Sequence, residues 1–256
     1  MALPAYAVIP ARYDSQRFPA KALADIDGVP MIVRVAQQAA QAAAVDRVVV
    51  ATDDDRIGRV VAEAGFEAVM TDKGCPSGTD RVAQAIQQFE AVPGVVCNVQ
   101  GDEPLIDPQD IDALVTAARA APEAMHTLAR PLPDPAMYRD PNAVKVVTTV
   151  DDRALYFSRA PIPFERGGST PSARLHVGLY AYSPAVLTRF TQLPPSTLET
   201  IERLEQLRAL ENGIPIHVTM CVSERPSIGV DVPEDLDAVL RTLRRTNDQD
   251  DSSHVS

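Results

Sequence analysis

Tyr6-Ala7-Val8-Ile9-Pro10-Ala11-Arg12-Tyr13-Asp14-Ser15-Gln16-Arg17-Phe18-Pro19-Ala20-Lys21 lies near the start of the chain and decides how the rest is read. Its first residues are a short apolar run, the pattern of a buried strand, and Pro10 is expected to break that strand into a loop. The loop carries Arg12, Arg17 and Lys21, three cations within ten residues, with Ser15 between them. A cationic loop leaving the carboxyl end of a first parallel strand lies where open α/β sheets bind ligands. Guanidinium forks, an ammonium and free backbone N–H groups are the donors a polyphosphate needs. The ordinary alternative is a basic, solvated surface turn. Against it stands the acidity of the whole chain, net charge -11, which makes a local excess of cations conspicuous. Pro10 and Pro19 also stiffen the loop and lower the entropy lost on ordering it.

Outward from this stretch the pattern repeats. Gly28-Val29-Pro30 introduces a helix expected over 31–44, with Ile32, Val35, Ala36 and Ala39 on one face. Arg47-Val48-Val49-Val50-Ala51-Thr52 reads as a second buried strand. Asp53-Asp54-Asp55 follows it, and helix capping explains that triplet better than a metal does. A helix to Ala64, Gly65 as its C′ residue and a strand over 66–70 come next. Ser77-Gly78-Thr79-Asp80-Arg81 has capping-box spacing and opens another helix. Val95-Val96-Cys97-Asn98-Val99 is an apolar strand running into Gln100-Gly101-Asp102-Glu103-Pro104, and Asp107-Pro108 starts a helix to about Ala120. Strands alternating with helices in this way predict a doubly wound, mostly parallel sheet.

From 125 to 182 the chain becomes strand-rich, with strands expected over 126–130, 143–150, 154–158 and 175–182. Residues 165–174, with Gly167-Gly168-Ser169, read as a flexible loop. Ser183-Pro184 starts a short helix, and Ser196-Thr197-Leu198-Glu199 is a capping box for one long helix to Gly213. A strand over 214–222 and a helix over 234–244 complete the pattern. The expected organisation is a nucleotide-binding half (1–124), a strand-rich insertion (125–195), a return to the main unit (196–245) and a polar, disordered tail (246–256).

Composition excludes several classes. At 256 residues, 45% of them hydrophobic, the chain can bury a full core. No apolar run reaches bilayer length and no signal peptide opens the chain, so it is expected in the cytoplasm, without a membrane partner. The acidic balance argues against nucleic acid. Cys75, Cys97 and Cys221 form no C-x-x-C pair, which argues against a disulfide framework or structural zinc. Neither G-x-x-x-x-G-K-[ST] nor G-x-G-x-x-G occurs.

Asp102 follows an apolar strand directly, which places its carboxylate at the carboxyl rim of the sheet. Asp231, in Ile228-Gly229-Val230-Asp231-Val232-Pro233, has a similar setting. Two strand-end aspartates near a basic loop suit a Mg²⁺–nucleotide site, because hard cations prefer oxygen ligands and phosphates complete the shell. Helix capping is the alternative for each. His176, on an apolar strand, reads as a core histidine, and Glu205-Gln206 with Arg208 read as a solvated helix face.

Taken together, Ile9-Pro10-Ala11-Arg12, Arg17-Phe18-Pro19-Ala20-Lys21, Ser77-Gly78-Thr79-Asp80-Arg81, Asn98-Val99-Gln100-Gly101-Asp102-Glu103-Pro104, Pro141-Asn142-Ala143-Val144-Lys145, Tyr156-Phe157-Ser158-Arg159-Ala160 and Gly229-Val230-Asp231-Val232-Pro233-Glu234-Asp235-Leu236 resemble the 3-deoxy-manno-octulosonate cytidylyltransferases, or CMP-Kdo synthetases. The motifs fall in matching order from about residue 4 to 244. The resemblance implies a nucleotide-diphospho-sugar transferase-like α/β fold with a smaller dimerisation region, and a homodimer. It implies an enzyme that joins CTP and Kdo (3-deoxy-D-manno-octulosonate) into CMP-Kdo and pyrophosphate for lipopolysaccharide synthesis, with Mg²⁺ as cofactor. A related enzyme acting on another acidic sugar, sialic acid or an amino-Kdo, is the near alternative. A non-catalytic sugar or nucleotide binder is the distant one.

Carried over residue by residue, the resemblance places Arg12, Ser15 and Lys21 on the triphosphate and Ser77, Gly78 and Arg81 around the cytosine, with Pro10, Ala11 and Gln100 also binding the nucleotide. Asp102 and Asp231 would hold the metal, and Arg12, Lys21, Asp102 and Asp231 would be catalytic. Gln100, Arg159, His176, Tyr180, Glu205 and Gln206 would line the sugar-acid pocket. Three departures stand out: Ala20 where the family usually has glycine, Cys75 where histidine is frequent, and Val232 for a usual threonine. The last forfeits a side-chain cap of about 1 kcal/mol.

Overall fold

The computed structural model describes residues 3–15, 17–132, 134–167, 173–225 and 228–253, with side chains as far as 245. The elements follow in order: β1 (Ala5–Ala11), a 3-10 turn (Lys21–Leu23), β2 (Asp25–Ile26), β3 (Val29–Pro30), α1 (Met31–Ala40), β4 (Arg47–Thr52), α2 (Asp55–Glu63), β5 (Glu67–Met70), α3 (Gly78–Ile86), β6 (Val95–Asn98) and α4 (Pro108–Ala120). Then come β7 (Met125–Pro131), β8 (Lys145–Thr148), β9 (Ala154–Ser158), β10 (Arg174–Tyr182), α5 (Pro184–Thr191), α6 (Thr197–Glu202), α7 (Gln206–Glu211), β11 (Ile216–Met220) and α8 (Asp235–Ser253).

The main sheet runs β11-β7-β10-β6-β1-β4-β5, with β8 hydrogen-bonded to β10 and to β9. β6, β1, β4 and β5 are mutually parallel, as the alternating pattern predicts, and β11 lies parallel to β7. β10 enters antiparallel between β6 and β7, so the middle of the strand-rich stretch is built into the sheet itself. Only the β8–β9 hairpin stands off the main path.

β1 shows why its run is unbroken. Ala5, Ala7 and Ile9 face a cluster shared with Ile32, Val35 and Ala36 of α1 and Leu114 of α4. Tyr6 and Val8 face the opposite cluster, with Val82 of α3, Leu187 and Phe190 of α5 and Leu207 of α7. A strand covered on both faces needs apolar residues at every position, and the helices on either side make a three-layer core.

The differences from expectation have local causes. β1 continues through Pro10, opposite Ala51, to Ala11. The β1–β6 ladder ends at Val8, so a proline beyond it interrupts no pairing on that side. α1 stops at Ala40 rather than Ala44, because the Asp112 carboxylate of α4 takes the N–H groups of Ala43 and Ala44 at 3.2 and 2.7 Å. The single helix expected from 197 to 213 is two. Arg203 adopts φ 52°, and the chain turns there to bury Gln206, Leu207, Arg208 and Ala209. That turn overturns the reading of Glu205-Gln206-Arg208 as a solvated face. α8 extends to Ser253 with no glycine or proline to stop it, so most of the tail expected to be disordered is helical, and 254–256 lie outside the described residues. Of the loop expected over 165–174, residues 168–172 lie outside the described residues and Arg174 belongs to β10.

Candidate active site

A cleft of about 500 Å³ opens at the carboxyl ends of β1 and β6. Pro10, Ala11, Arg12, Ser15, Lys21, Ser77, Gly78, Arg81, Gln100, Asp102 and Asp231 all line it, joined by Arg17, Cys75 and Gly101. Every residue expected at the nucleotide or the metal is therefore in one cavity.

The loop after β1 forms the cationic wall. It closes on itself through Ala20 N–H to the Tyr13 carbonyl at 3.2 Å, and the Arg56 guanidinium lies over the Tyr13 ring, 3.3 Å from its centre. Arg12 makes no ion pair among the described residues, so its charge is free for a ligand. Ala20 sits at φ 56°, a left-handed conformation that Cβ disfavours and glycine accepts. The departure from the family's glycine thus lands on the one described position of this loop with a positive φ, where glycine is conformationally useful. Ala20→Gly is expected to raise stability by about 0.5–1 kcal/mol, read as a higher midpoint in urea unfolding.

The opposite wall is acidic. The Lys21 ammonium donates to Asp102 Oδ2 at 2.7 Å and to the Val230 carbonyl at 2.8 Å, and stands 3.7 Å from Asp231 Oδ1. Arg17 reaches Asp231 at 2.9 Å. Among the described residues neither carboxylate accepts from a helix N–H. Val230 N–H to the Asp102 carbonyl, 2.9 Å, fastens the two segments, and Asp235 takes the N–H groups of Asp231 and Val232 at 2.7 and 3.0 Å. Asp235 thus supplies the return half of a capping box, to the N–H of Val232, while the forward half that a threonine hydroxyl would give is missing at Val232.

Two glycines let backbone pack at the cleft floor. A Cβ on Gly101 would lie 2.7 Å from the Pro10 carbonyl oxygen, and one on Gly78 would lie 3.3 Å from Pro10 Cγ. Gly101→Ala must push the β6 loop off the end of β1, and is expected to destabilise by about 1–3 kcal/mol. A lower midpoint in urea unfolding checks this.

α3 presents its amino end to the cleft. Ser77 caps it, accepting from Asp80 N–H at 3.1 Å, and its hydroxyl donates to the Asp80 carboxylate at 2.7 Å. Arg81 is 3% exposed and bound to Thr71 Oγ1 at 2.6 Å and Asp53 Oδ2 at 2.8 Å. Of the acidic triplet, Asp54 caps α2 and Asp53 anchors Arg81, which explains two of its members without a metal. Cys75 donates toward Gln84 Oε1 at 3.3 Å, and burial pushes its thiol pKa up.

The residues expected at the sugar lie behind Gln100. His176 is packed edge-on against Phe157 and beside Tyr180, and burial lowers its pKa to about 3, so the ring is neutral. Its Nε2 meets Thr127 Oγ1 at 2.9 Å. Burial, with Glu205 nearby, pushes the Tyr180 hydroxyl well above its ordinary value. Glu205 Oε1 and Gln206 Nε2 are buried without a hydrogen-bond partner. Leaving such atoms unpaired costs about 1–3 kcal/mol each, which a polyhydroxylated ligand would recover. Arg159 is placed differently: its guanidinium donates to the carbonyls of Glu202, Pro141 and Arg203 at 2.8, 2.9 and 3.4 Å. There it braces the break between α6 and α7 that aims Glu205 and Gln206 inward.

Sequence reading missed the buried polar residues behind the site: Thr79, Asn98, Tyr182 and the Arg208–Glu199 fork at 2.8 and 2.5 Å. A polar Asn98 inside an otherwise apolar strand was the available signal.

A cation-lined cleft at the ends of parallel strands, facing two carboxylates and backed by buried polar atoms without hydrogen-bond partners, has the features of a nucleotide-handling transferase. The chain belongs to the cytidylyltransferase family, whose model matches residues 6–218. It is 50% identical over 237 residues to a 3-deoxy-manno-octulosonate cytidylyltransferase of Anaeromyxobacter sp. (strain K), covering 92% of this chain and 96% of that one. The enzyme of the same name from Syntrophobacter fumaroxidans is 50% identical over 240 residues, covering 92% and 95%. A solved structure of CMP:2-keto-3-deoxy-manno-octonic acid synthetase complexed with CTP superposes with a TM-score of 0.89 at 41% identity, covering 95% of this chain and 99% of that one.

Proposed function

We propose that the protein transfers CMP from CTP to the anomeric hydroxyl of Kdo, releasing pyrophosphate and supplying CMP-Kdo for lipopolysaccharide synthesis. The observation that carries this reading is the single cleft in which Arg12, Ser15 and Lys21 face Asp102 and Asp231. The unpaired Glu205 and Gln206 atoms behind it support a hydroxyl-rich co-substrate.

Both substrates are anions, so bringing them together is the first task. Arg12 and Lys21 oppose the charge of the leaving phosphates, and the amino end of α3 adds backbone donors beside the nucleotide. Gln100, His176, Tyr180, Glu205 and Gln206 orient the sugar acid, so that catalysis is mostly positioning and charge stabilisation. Asp102 and Asp231 fit a divalent cation. Both offer hard oxygens and both lie within 4 Å of one ammonium, which already marks a cation position between them. Bound there, Mg²⁺ would neutralise phosphate charge and lower the pKa of the attacking hydroxyl, which removes the need for a dedicated protein base.

We also assign a homodimer, supported by the exposed apolar side chains Val150, Leu155, Phe164 and Ile201 on and beside the β8–β9 hairpin. No helix among the described residues is long and apolar enough to cross a membrane.

The test is pyrophosphate release from CTP with Mg²⁺ across a panel of sugar acids. Kdo is expected to be the best substrate. A preference for sialic acid or amino-Kdo would move the assignment within the family, and no product with any sugar would make the protein a binder only.

A further inference from the structure

Between the nucleotide cleft and Glu205 runs a line of buried polar side chains. Gln100, on the cleft wall, donates Nε2 to Asn98 Oδ1 at 3.4 Å. Asn98 donates Nδ2 to the Tyr182 hydroxyl at 3.0 Å and to Thr79 Oγ1 at 3.4 Å. Thr79 Oγ1 donates in turn to Glu205 Oε2 at 2.6 Å. A hydroxyl has one hydrogen, so an oxygen that gives it to a carboxylate can only accept from its other neighbour. Every donor in the line therefore points from the cleft toward Glu205.

Thr79 is the pivot of this line. It lies in the first turn of α3, two residues after the capping Ser77 at the cleft edge. Asn98 stands opposite Tyr180 in the β6–β10 ladder, so the line crosses from helix to sheet to the start of α7. Arg208 stands 3.7 Å from Glu205 Oε1, beyond hydrogen-bond reach, and is held by Glu199. The Thr79 hydroxyl is thus what decides which carboxylate oxygen is bonded and which is left buried without a hydrogen bond.

We propose that Thr79, seated by Asn98, is a positioning residue for the transfer. Its hydroxyl fixes Glu205 so that Oε1 is presented to the sugar acid, and it ties that subsite to the helix turn bordering the nucleotide. This rests on the function proposed above. The competing account is that Thr79 fills core by shape alone.

Thr79→Ser, Thr79→Ala and Thr79→Val separate the two, by kcat and KM for Kdo and for CTP together with thermal melts. If the hydroxyl acts, Ser stays within about threefold of the unaltered enzyme, while Ala and Val raise KM for Kdo by roughly 10–100-fold, the worth of a hydrogen bond to a charged group. KM for CTP then stays within about twofold. If shape alone matters, Val keeps normal kinetics while Ser and Ala fall together, and the proposal is overturned. A rise in KM for CTP equal to that for Kdo overturns it as well. Should Val fail to fold, the Ser–Ala pair still decides, since both side chains are smaller than threonine. Turnover of Kdo by the unaltered enzyme reads the assigned function, and the order among the variants reads this inference.

Discussion

Asp102→Asn is expected to fold normally and to lose turnover by on the order of 10³-fold or more. The fold does not lean on the carboxylate. The backbone of Asp102 keeps its bond to Val230 N–H, and Gly101 keeps its close approach to Pro10. The side chain is about a third exposed and pairs with the Lys21 ammonium at 2.7 Å. An amide oxygen of the same shape still accepts that bond, and a partly solvated ion pair is worth about 1 kcal/mol or less. What the substitution removes is a formal charge facing the place where phosphate charge must be opposed by a cation. Circular dichroism melts within a few degrees of normal, beside absent pyrophosphate release, would match this account. Near-full turnover would remove Asp102 from the chemistry, and a collapsed melt would make it structural.

How much of this was legible in the residues differs by region. The parallel half was, because β1, β4 and β6 must be apolar on both faces and each ends in punctuation with its own physical meaning, such as the Asp54, Ser77 and Asp107 caps. The gathering of the loops after β1 and β6 into one cleft was also legible, since strand ends bring them together whatever their sequence separation. The break at Arg203 was not. A non-glycine residue at φ 52° has no local signature, and the periodicity of Leu198, Ile201, Leu204 and Leu207 suits one continuous helix. Tertiary contacts decide there: Glu202 takes Ser158 Oγ and Arg159 N–H at 2.6 and 3.0 Å, and Arg159 holds the carbonyls on either side. Because that break aims Glu205 and Gln206 inward, their grouping with His176 and Tyr180 rested on the family resemblance, while the meeting of Arg12 and Lys21 with Asp102 could be read from charge and strand ends. His176 shows the same limit. Its enclosure by Phe157 and Tyr180 joins β9 to two positions of β10 flanking a register shift that no periodicity reveals.

Lys21→Met is expected to move two measurements in opposite directions. The Lys21 ammonium stands between Asp102 and Asp231, at 2.7 and 3.7 Å, and is largely buried at 16% exposure. It is a tethered counter-ion for two carboxylates that otherwise repel each other. A divalent cation entering the same oxygens must compete with it, whereas bound triphosphate offers the ammonium an alternative set of anionic oxygens. Methionine keeps much of the side chain's length and apolar contact but carries no charge. Turnover of CTP and Kdo should fall by on the order of 10²-fold, because a cation opposite the leaving phosphates is lost. Binding of Mg²⁺ or Mn²⁺ to the nucleotide-free variant should strengthen by roughly tenfold, about 1.4 kcal/mol, because the competitor at Asp102 is gone and only Arg17, exposed and on Asp231, remains. Titration calorimetry without CTP reads the second effect independently of catalysis. If metal bound the variant no more tightly than it binds the unaltered protein, Asp102 and Asp231 would not act as one oxygen site. A fall in activity alone would then place Lys21 on the phosphates and nowhere else.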